Sequence, residues 1–149
     1  MGGRGGSSGI SAPSGIGVLQ GFVANARTSD LMGAWNTLYK KDMRSMTDEE
    51  KMARAVTTDE LASRGAIAYD GKSQEFVRNT TGKTVVYDAN EQKSYRVDAI
   101  KKESYGGTST TTVADTSVLY GGKWIPVKNP DVREKVAEMY KKRKKEIGR

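Results

Sequence analysis

From about residue 29, after the first fifth of the chain, hydrophobic positions recur every three to four residues, a spacing typical of helices with one buried face. Ser29 is placed to cap a helix that runs to about Met46. The apolar residues that share one face of this helix are Leu31, Trp35, Leu38 and Tyr39. The first element after the N-terminal segment is therefore predicted to be an amphipathic helix.

Two further helices are predicted from capping boxes, in which a threonine and a glutamate three residues later satisfy each other's backbone amides. Thr47 and Glu50 form one such pair and predict a short helix over residues 48–56. Thr57 and Glu60 form a second pair and predict a new helix that ends at Gly65.

From Gly65 onward the hydrophobic pattern changes to a period of two, which indicates strands. Asp70-Gly71 predicts a tight hairpin with a return strand at residues 74–78. Pro126 predicts that the last strand lies at a sheet edge, because proline cannot donate to a ladder. Asn129 and Pro130 then open a terminal helix, as a cap and a first helical residue.

These elements predict an α+β fold with N-terminal helices, an antiparallel β-meander of about five to six strands, and a basic amphipathic C-terminal helix. The first residues are rich in glycine and serine, so residues 1–27 are predicted to be a flexible arm. Residues 28–149 are predicted to form one domain. Its segments are helices at 29–64, a sheet at 66–128 and the C-terminal helix at 130–147.

The chain has 149 residues and contains no histidine and no cysteine. This removes catalytic triads, thiol nucleophiles and disulfides, together with the usual zinc ligands. Five acids could in principle form an oxygen-only magnesium site: Asp70, Glu75, Asp88, Glu91 and Asp98. Asp70 and Asp88 fall at predicted turns, where aspartate is expected for the turn itself. We therefore expect a binding protein rather than an enzyme, with no metal and no cofactor.

The formal net charge is +7 and lies mainly at the two ends of the chain. Residues 131–149 hold eight basic and four acidic side chains, and residues 1–27 add two cations, Arg4 and Arg27, and no acid. Clustered cations on a terminal helix indicate contact with a phosphate backbone, although cations also complement the dipole at a helix C-terminus. The candidate nucleic-acid or partner contacts are Arg4, Lys141, Lys142, Arg143, Lys144, Lys145 and Arg149.

The chain opens with Met1-Gly2-Gly3-Arg4-Gly5-Gly6-Ser7-Ser8-Gly9. This resembles the GGRG-x-SSG leader of small phage- and prophage-encoded proteins. The resemblance covers about nine residues and implies a bacteriophage or prophage origin, with no specific activity.

Five tyrosines fall on or beside predicted strands: Tyr69, Tyr87, Tyr95, Tyr105 and Tyr120. Tyrosine suits half-buried sheet faces, which is the simplest explanation. Tyrosines beside basic residues could instead stack nucleic-acid bases, or supply the Tyr, Lys and Arg chemistry of a ribonuclease without histidine. In residue types and element order the chain resembles RelE-like toxins, which makes such an endoribonuclease one alternative.

The leading hypothesis is a small non-enzymatic phage or mobile-element protein that binds nucleic acid or a nucleoprotein assembly, either in the virion or as an inhibitor of a host defence complex. A structural virion subunit, whose arm and basic helix lock neighbouring copies into an oligomer, is the third alternative. A host or virion protein is then the partner. No apolar run is long enough to span a membrane, so the expected location is the host cytoplasm or the virion.

Overall fold

The computed structural model describes residues 12–104, 107 and 109–147, and the side chains of residues 12–16 and 144–147 fall outside that description. These residues form four α-helices and two antiparallel sheets, one of two strands and one of four. The predicted α+β class, with a C-terminal helix, is thereby confirmed. The chain divides into two compact units, Met1–Leu61 and Ala62–Arg149, which are described separately below as the N-terminal and C-terminal units.

The N-terminal unit is helical. Its elements are α1 (Ala12–Asn25), α2 (Thr28–Lys40), a single 3-10 turn (Met43–Ser45) and α3 (Asp48–Arg64), whose last residues belong to the C-terminal unit. Helix α1 lies within the segment predicted as a flexible arm, so the structure differs there. The apolar residues of this segment recur at helical spacing, and Val23 is buried. Residues 1–11 of the arm lie outside the described chain.

Helix α3 is one helix where two were predicted. Its start agrees with the Thr47 capping box, because the Glu50 amide donates to Thr47 Oγ1 at 3.1 Å and the Thr47 amide donates to Glu50 Oε1 at 2.9 Å. The prediction that a new helix begins at the second capping box, at Thr57, is wrong. Thr57 and Thr58 are buried in the middle of α3, and Thr58 Oγ1 donates to the Arg54 carbonyl oxygen one turn earlier at 2.6 Å.

Thr58 also receives the only polar hydrogen of a buried indole. Trp35 Nε1 donates to Thr58 Oγ1 at 3.0 Å, and both residues are buried. Replacing Thr58 with valine keeps the shape and leaves the indole N–H without an acceptor. We expect the free energy of unfolding to fall by about 1–3 kcal/mol. Urea denaturation followed by the NMR signal of the Trp35 indole N–H measures this.

The matched control is Thr37→Val. Thr37 is exposed, and its hydroxyl donates only to the Gly33 carbonyl of its own helix at 3.3 Å. We expect this variant to stay within about 0.5 kcal/mol of the parent. An equal effect of the two substitutions would contradict the role assigned to Thr58.

The C-terminal unit contains all six described strands. They are β1 (Ile67–Asp70), β2 (Glu75–Arg78), β3 (Val85–Asp88), β4 (Lys93–Ser104), β5 (Thr110–Tyr120) and β6 (Lys123–Pro126), followed by α4 (Pro130–Ile147). Strands β1 and β2 form a separate hairpin, while β3-β4-β5-β6 form a meander in sequence order. Strand β6 is an edge strand, as Pro126 predicted. The Asp70-Gly71 hairpin is also present, but Asp70 pairs with Glu75, so the loop has four residues.

Two apolar clusters hold this unit together. In one, α4 places Val136 and Ala137 against Val86, Tyr95 and Ala114 of the four-stranded sheet. In the other, Ala68 of β1 packs with Val85, Leu119 and Trp124. Because successive residues of a strand point to opposite faces, α4 and the β1–β2 hairpin cover opposite faces of the sheet. Strands β3 and β5 run in the same direction, so the turns that follow them, at residues 89–92 and 121–122, lie at the same end of the sheet. The turn at residues 71–74 lies at this end too, because the Gly71 amide donates to the Leu119 carbonyl oxygen at 3.2 Å.

Candidate nucleic-acid interface

The net charge belongs entirely to one unit. Residues 1–61 contain 7 basic and 7 acidic side chains, whereas residues 62–149 contain 18 basic and 11 acidic ones. The N-terminal unit is thus formally neutral, and the C-terminal unit carries all of the +7. The C-terminal unit is therefore the one whose net charge attracts a polyanion.

The predicted basic cluster on α4 is only partly a free surface. Lys142 is exposed and has no partner among the described residues, whereas Lys141 Nζ lies 3.8 Å from the Glu138 carboxylate. The side chains of Lys144 and Lys145 fall outside the described part of the chain, as do Arg4 and Arg149 altogether. The first half of the helix exposes Asp131, Glu134 and Glu138. Acids first and bases last is the order that complements a helix dipole.

Arg143 has a structural role, which corrects its place in the predicted cluster. Its guanidinium donates to the carbonyl oxygens of Val85 and Arg64, and burial lowers the pKa of this group below its ordinary value. Arg143 follows Val136 and Tyr140 on the stripe of α4 that faces the sheet. This position on the helix directs the Arg143 side chain toward the sheet, so its guanidinium is not available to bind a phosphate.

The turns at 71–74 and 121–122 are joined by one carboxylate. Asp70 accepts from the amides of Lys72 at 2.9 Å and Ser73 at 3.3 Å, within its own turn. It also accepts from Gly121 at 2.8 Å and Gly122 at 2.7 Å. Burial alone would raise the pKa of Asp70, but these four amide donors outweigh it and hold the pKa below its usual value.

Asp88 occupies the equivalent place in the turn at 89–92. It accepts from the amides of Asn90 at 3.0 Å and Glu91 at 3.2 Å, and from Lys135 Nζ of α4 at 2.7 Å. Burial opposes ionisation, but Lys135 and the amides lower the pKa of Asp88, and Asp88 in turn raises the pKa of Lys135. The carboxylates of both aspartates accept hydrogen bonds from backbone amides and so stabilise these turns. Across the described chain, no three acidic side chains come together in a way that could hold a metal ion.

An aromatic ring stands between two unpaired lysines at this end of the sheet. The register pairs Tyr120 with Lys123, and continuing the β4–β5 register from Tyr95 and Val118 brings Lys93 opposite Tyr120. The side chains of Lys93 and Lys123 are exposed and make no hydrogen bond or ion pair within the described chain, and Tyr120 is 50% exposed. We call Lys93, Tyr120 and Lys123 the turn-end platform.

A cleft of about 370 Å³ lies beside the platform. Tyr69, Leu119 and Ile125 give it apolar walls, and Gln74 and Gln92 give it polar ones. Lys93 and Tyr120 line it as well, so the platform and the cleft are continuous. We call this the turn-end cleft.

The other predicted tyrosines are less available. Tyr95 is buried under α4, and burial raises the pKa of its hydroxyl. Tyr69 and Tyr87 pack with Phe76, with ring centroids 4.9 Å and 5.3 Å from it. Tyr105 is outside the described chain. Among the described strand tyrosines, Tyr120 is the one whose ring is most open to a ligand.

The residues that form this site follow a repeat in the sequence, which is not among the motifs that predicted the basic cluster. The two hairpins repeat Tyr-Asp, then Gln, then Arg at an offset of 18 residues. The matched pairs are Tyr69 and Tyr87, Asp70 and Asp88, Gln74 and Gln92, and Arg78 and Arg96. The signal was the equal spacing of identical turn residues, which predicts two copies of one hairpin turn.

Comparison with known proteins does not assign this surface. No family model, no curated protein and no solved structure matches the chain. No helix of the described residues is long and apolar enough to cross a membrane. The argument for function therefore rests on the geometry and charge of the C-terminal unit.

Proposed function

We propose that this protein is a non-enzymatic binding protein that engages single-stranded nucleic acid through the turn-end platform. The observation that carries the proposal is the exposed Tyr120 ring between Lys93 and Lys123, whose side chains have no acidic partner among the described residues. Proteins that bind single strands combine aromatic rings, on which bases stack, with cations that follow the phosphates. A sheet that presents such a ring is a common form of this surface.

Charge supports the same proposal. The excess of cations over acids lies wholly in the unit that carries the platform. Lys72, in the turn that Asp70 holds, is a further exposed cation at this end of the sheet. Lys141 and Lys142 of α4, with Lys144 and Lys145, would add attraction that does not depend on base sequence. A phage or prophage origin remains the prediction made from the N-terminal leader, which implies no specific activity; a virion or anti-defence role remains part of the leading hypothesis only.

Fluorescence anisotropy with labelled 20-nucleotide DNA and RNA single strands tests the proposal. Tyr120→Ala is expected to weaken binding about fivefold to a hundredfold, because stacking of one base contributes about 1–3 kcal/mol. The double variant Lys93→Gln/Lys123→Gln is expected to make the slope of log K against log salt shallower by about 1.4, at about 0.7 for each phosphate contact.

The matched control is Lys102→Gln/Lys128→Gln, which removes two exposed lysines that lie away from the platform and whose side chains have no partner in the part of the chain that the structure describes. Its salt slope should equal that of the parent. If the parent shows no salt-dependent binding to either strand, the proposed function is wrong. If the loss follows Lys141→Gln/Lys142→Gln and spares the platform variants, the interface is the terminal helix predicted from sequence and the platform assignment is wrong.

A further inference from the structure

The two glutamines of the turn-end cleft hold unusual backbone conformations. Gln74 has φ 58° and Gln92 has φ 53°, which is the left-handed region. Glycine occupies this region without strain and asparagine is enriched there, whereas a longer side chain costs on the order of 1 kcal/mol or more. Both copies of the repeated turn carry glutamine at this position, and both glutamines line the same cleft. The turns alone do not account for the choice of residue.

The side-chain amides of these glutamines are free to bind a ligand. Gln74 and Gln92 are exposed, and within the described chain neither side-chain amide has a hydrogen-bond partner. Each amide offers a donor and an acceptor in one plane, which matches the donor and acceptor pairs along the edge of a nucleobase. Glu91, also in the cleft lining, adds a carboxylate that only accepts.

The rest of the cleft suits a flat, partly apolar group. Leu119, Ile125 and Tyr69 supply apolar contacts, and the volume of about 370 Å³ is at the lower end of the range for small-molecule sites. Tyr120 belongs both to the cleft lining and to the platform. A base lifted out of a strand that lies along the platform can therefore enter the cleft.

We propose that the turn-end cleft binds one unstacked nucleobase, whose edge is read by the amides of Gln74 and Gln92 and whose exocyclic amino group donates to Glu91. This inference rests on the proposed function, and it adds base recognition to a surface that otherwise binds any single strand. Bases with an exocyclic amino group, adenine and cytosine among them, should bind better than uracil or thymine, which have none.

Free nucleosides carry no phosphate, so they test binding to the cleft without the contribution of the platform lysines. NMR titration of the parent with adenosine, cytidine and uridine should shift the side-chain amide signals of Gln74 and Gln92. Uridine should bind at least fivefold more weakly than adenosine or cytidine. The double variant Gln74→Gly/Gln92→Gly should lose nucleoside binding at least tenfold, and the affinities of A-, C- and T-rich single strands for it should agree within twofold.

Glycine is chosen because it relaxes the left-handed backbone, so the thermal midpoint of this double variant should equal or exceed that of the parent. Asn90→Gly is the control, since it removes a side-chain amide from the same turn at a position outside the cleft lining. It should leave nucleoside binding unchanged.

The outcomes are distinguishable. Salt-dependent binding of strands, without nucleoside binding or base preference, would overturn this inference and leave the proposed function intact. Nucleoside binding that survives Gln74→Gly/Gln92→Gly would also overturn it. The absence of binding to any strand would overturn the proposed function, and the nucleoside titration would then show whether the cleft takes a free base.

Discussion

Replacing Asp70 with alanine is expected to lower the free energy of unfolding by about 3–5 kcal/mol, the range for breaking a buried hydrogen-bond network around a charge. The Asp70 side chain is buried and accepts from four backbone amides in two turns. Alanine leaves these four amide donors without a protein acceptor. The β1–β2 hairpin also loses its tie to the turn between β5 and β6.

The same carboxylate makes stability depend on pH. Its pKa is lower in the folded protein than the ordinary value near 3.9, so its contribution is complete above that value. It is lost as the pH falls through the lower folded pKa. We therefore expect Asp70→Asn to lose less stability between about pH 5 and pH 2 than the parent does.

Urea denaturation followed by the NMR signal of the Trp124 indole N–H measures both effects. Hydrogen exchange of the Gly121 and Gly122 amides reports the tie directly and should accelerate in Asp70→Ala. Asp131→Asn is the control, because Asp131 is exposed and its side chain has no partner within the described chain. A loss below about 1 kcal/mol in Asp70→Ala, with unchanged exchange at the two glycines, would contradict the role assigned to Asp70.

The second large effect is expected at Gly65, which ends α3. Its φ is +74°, and a Cβ at this position would lie 2.6 Å from the Val85 carbonyl oxygen, beside the guanidinium of Arg143. Gly65→Ala therefore strains the backbone. It also displaces either β3 or the Arg143 guanidinium, which donates to the carbonyl oxygens of Val85 and Arg64. We expect a loss of about 3 kcal/mol or more, of which about 1 kcal/mol comes from the left-handed backbone alone.

Gly82 provides the matched control. It has φ +72°, but a Cβ there would meet nothing within 4 Å. Gly82→Ala should therefore cost only the conformational part, about 1 kcal/mol. Equal losses in the two variants, measured by urea denaturation, would show that close packing around Gly65 contributes nothing.

Most local signals for backbone hydrogen bonding at helix ends were reliable, but Ser29, predicted as a cap, lies inside α2, whose N-cap is Arg27. The capping box at Thr47, the helix end at Gly65 and the helix start at Pro130 are present as predicted, because each depends on residues within one turn of one another. The edge position of β6 agrees with Pro126, which has no amide hydrogen to donate to a further strand. These signals were enough to predict the α+β class.

Local signals failed where burial decided the outcome. Thr57 and Glu60 have the spacing of a capping box, but Thr57 and Thr58 are buried within α3, where Thr58 accepts from Trp35. Composition predicted a flexible arm, yet the apolar spacing around Val23 supports α1. In both places, contacts between elements outweighed a local preference.

The candidate site also depends partly on local sequence and partly on tertiary packing. The sequence by itself determined the charge, the absence of histidine and cysteine, and the repeated turn residues. Only the tertiary structure decided which cations remain on the surface. It turned Arg143 inward to the carbonyls of Arg64 and Val85, and it brought Lys93 and Lys123 to either side of Tyr120. The physical reason is that an arginine's hydrogen-bond partners, and the neighbours of a strand residue, come from segments distant in sequence, whose register is set by packing of the whole sheet.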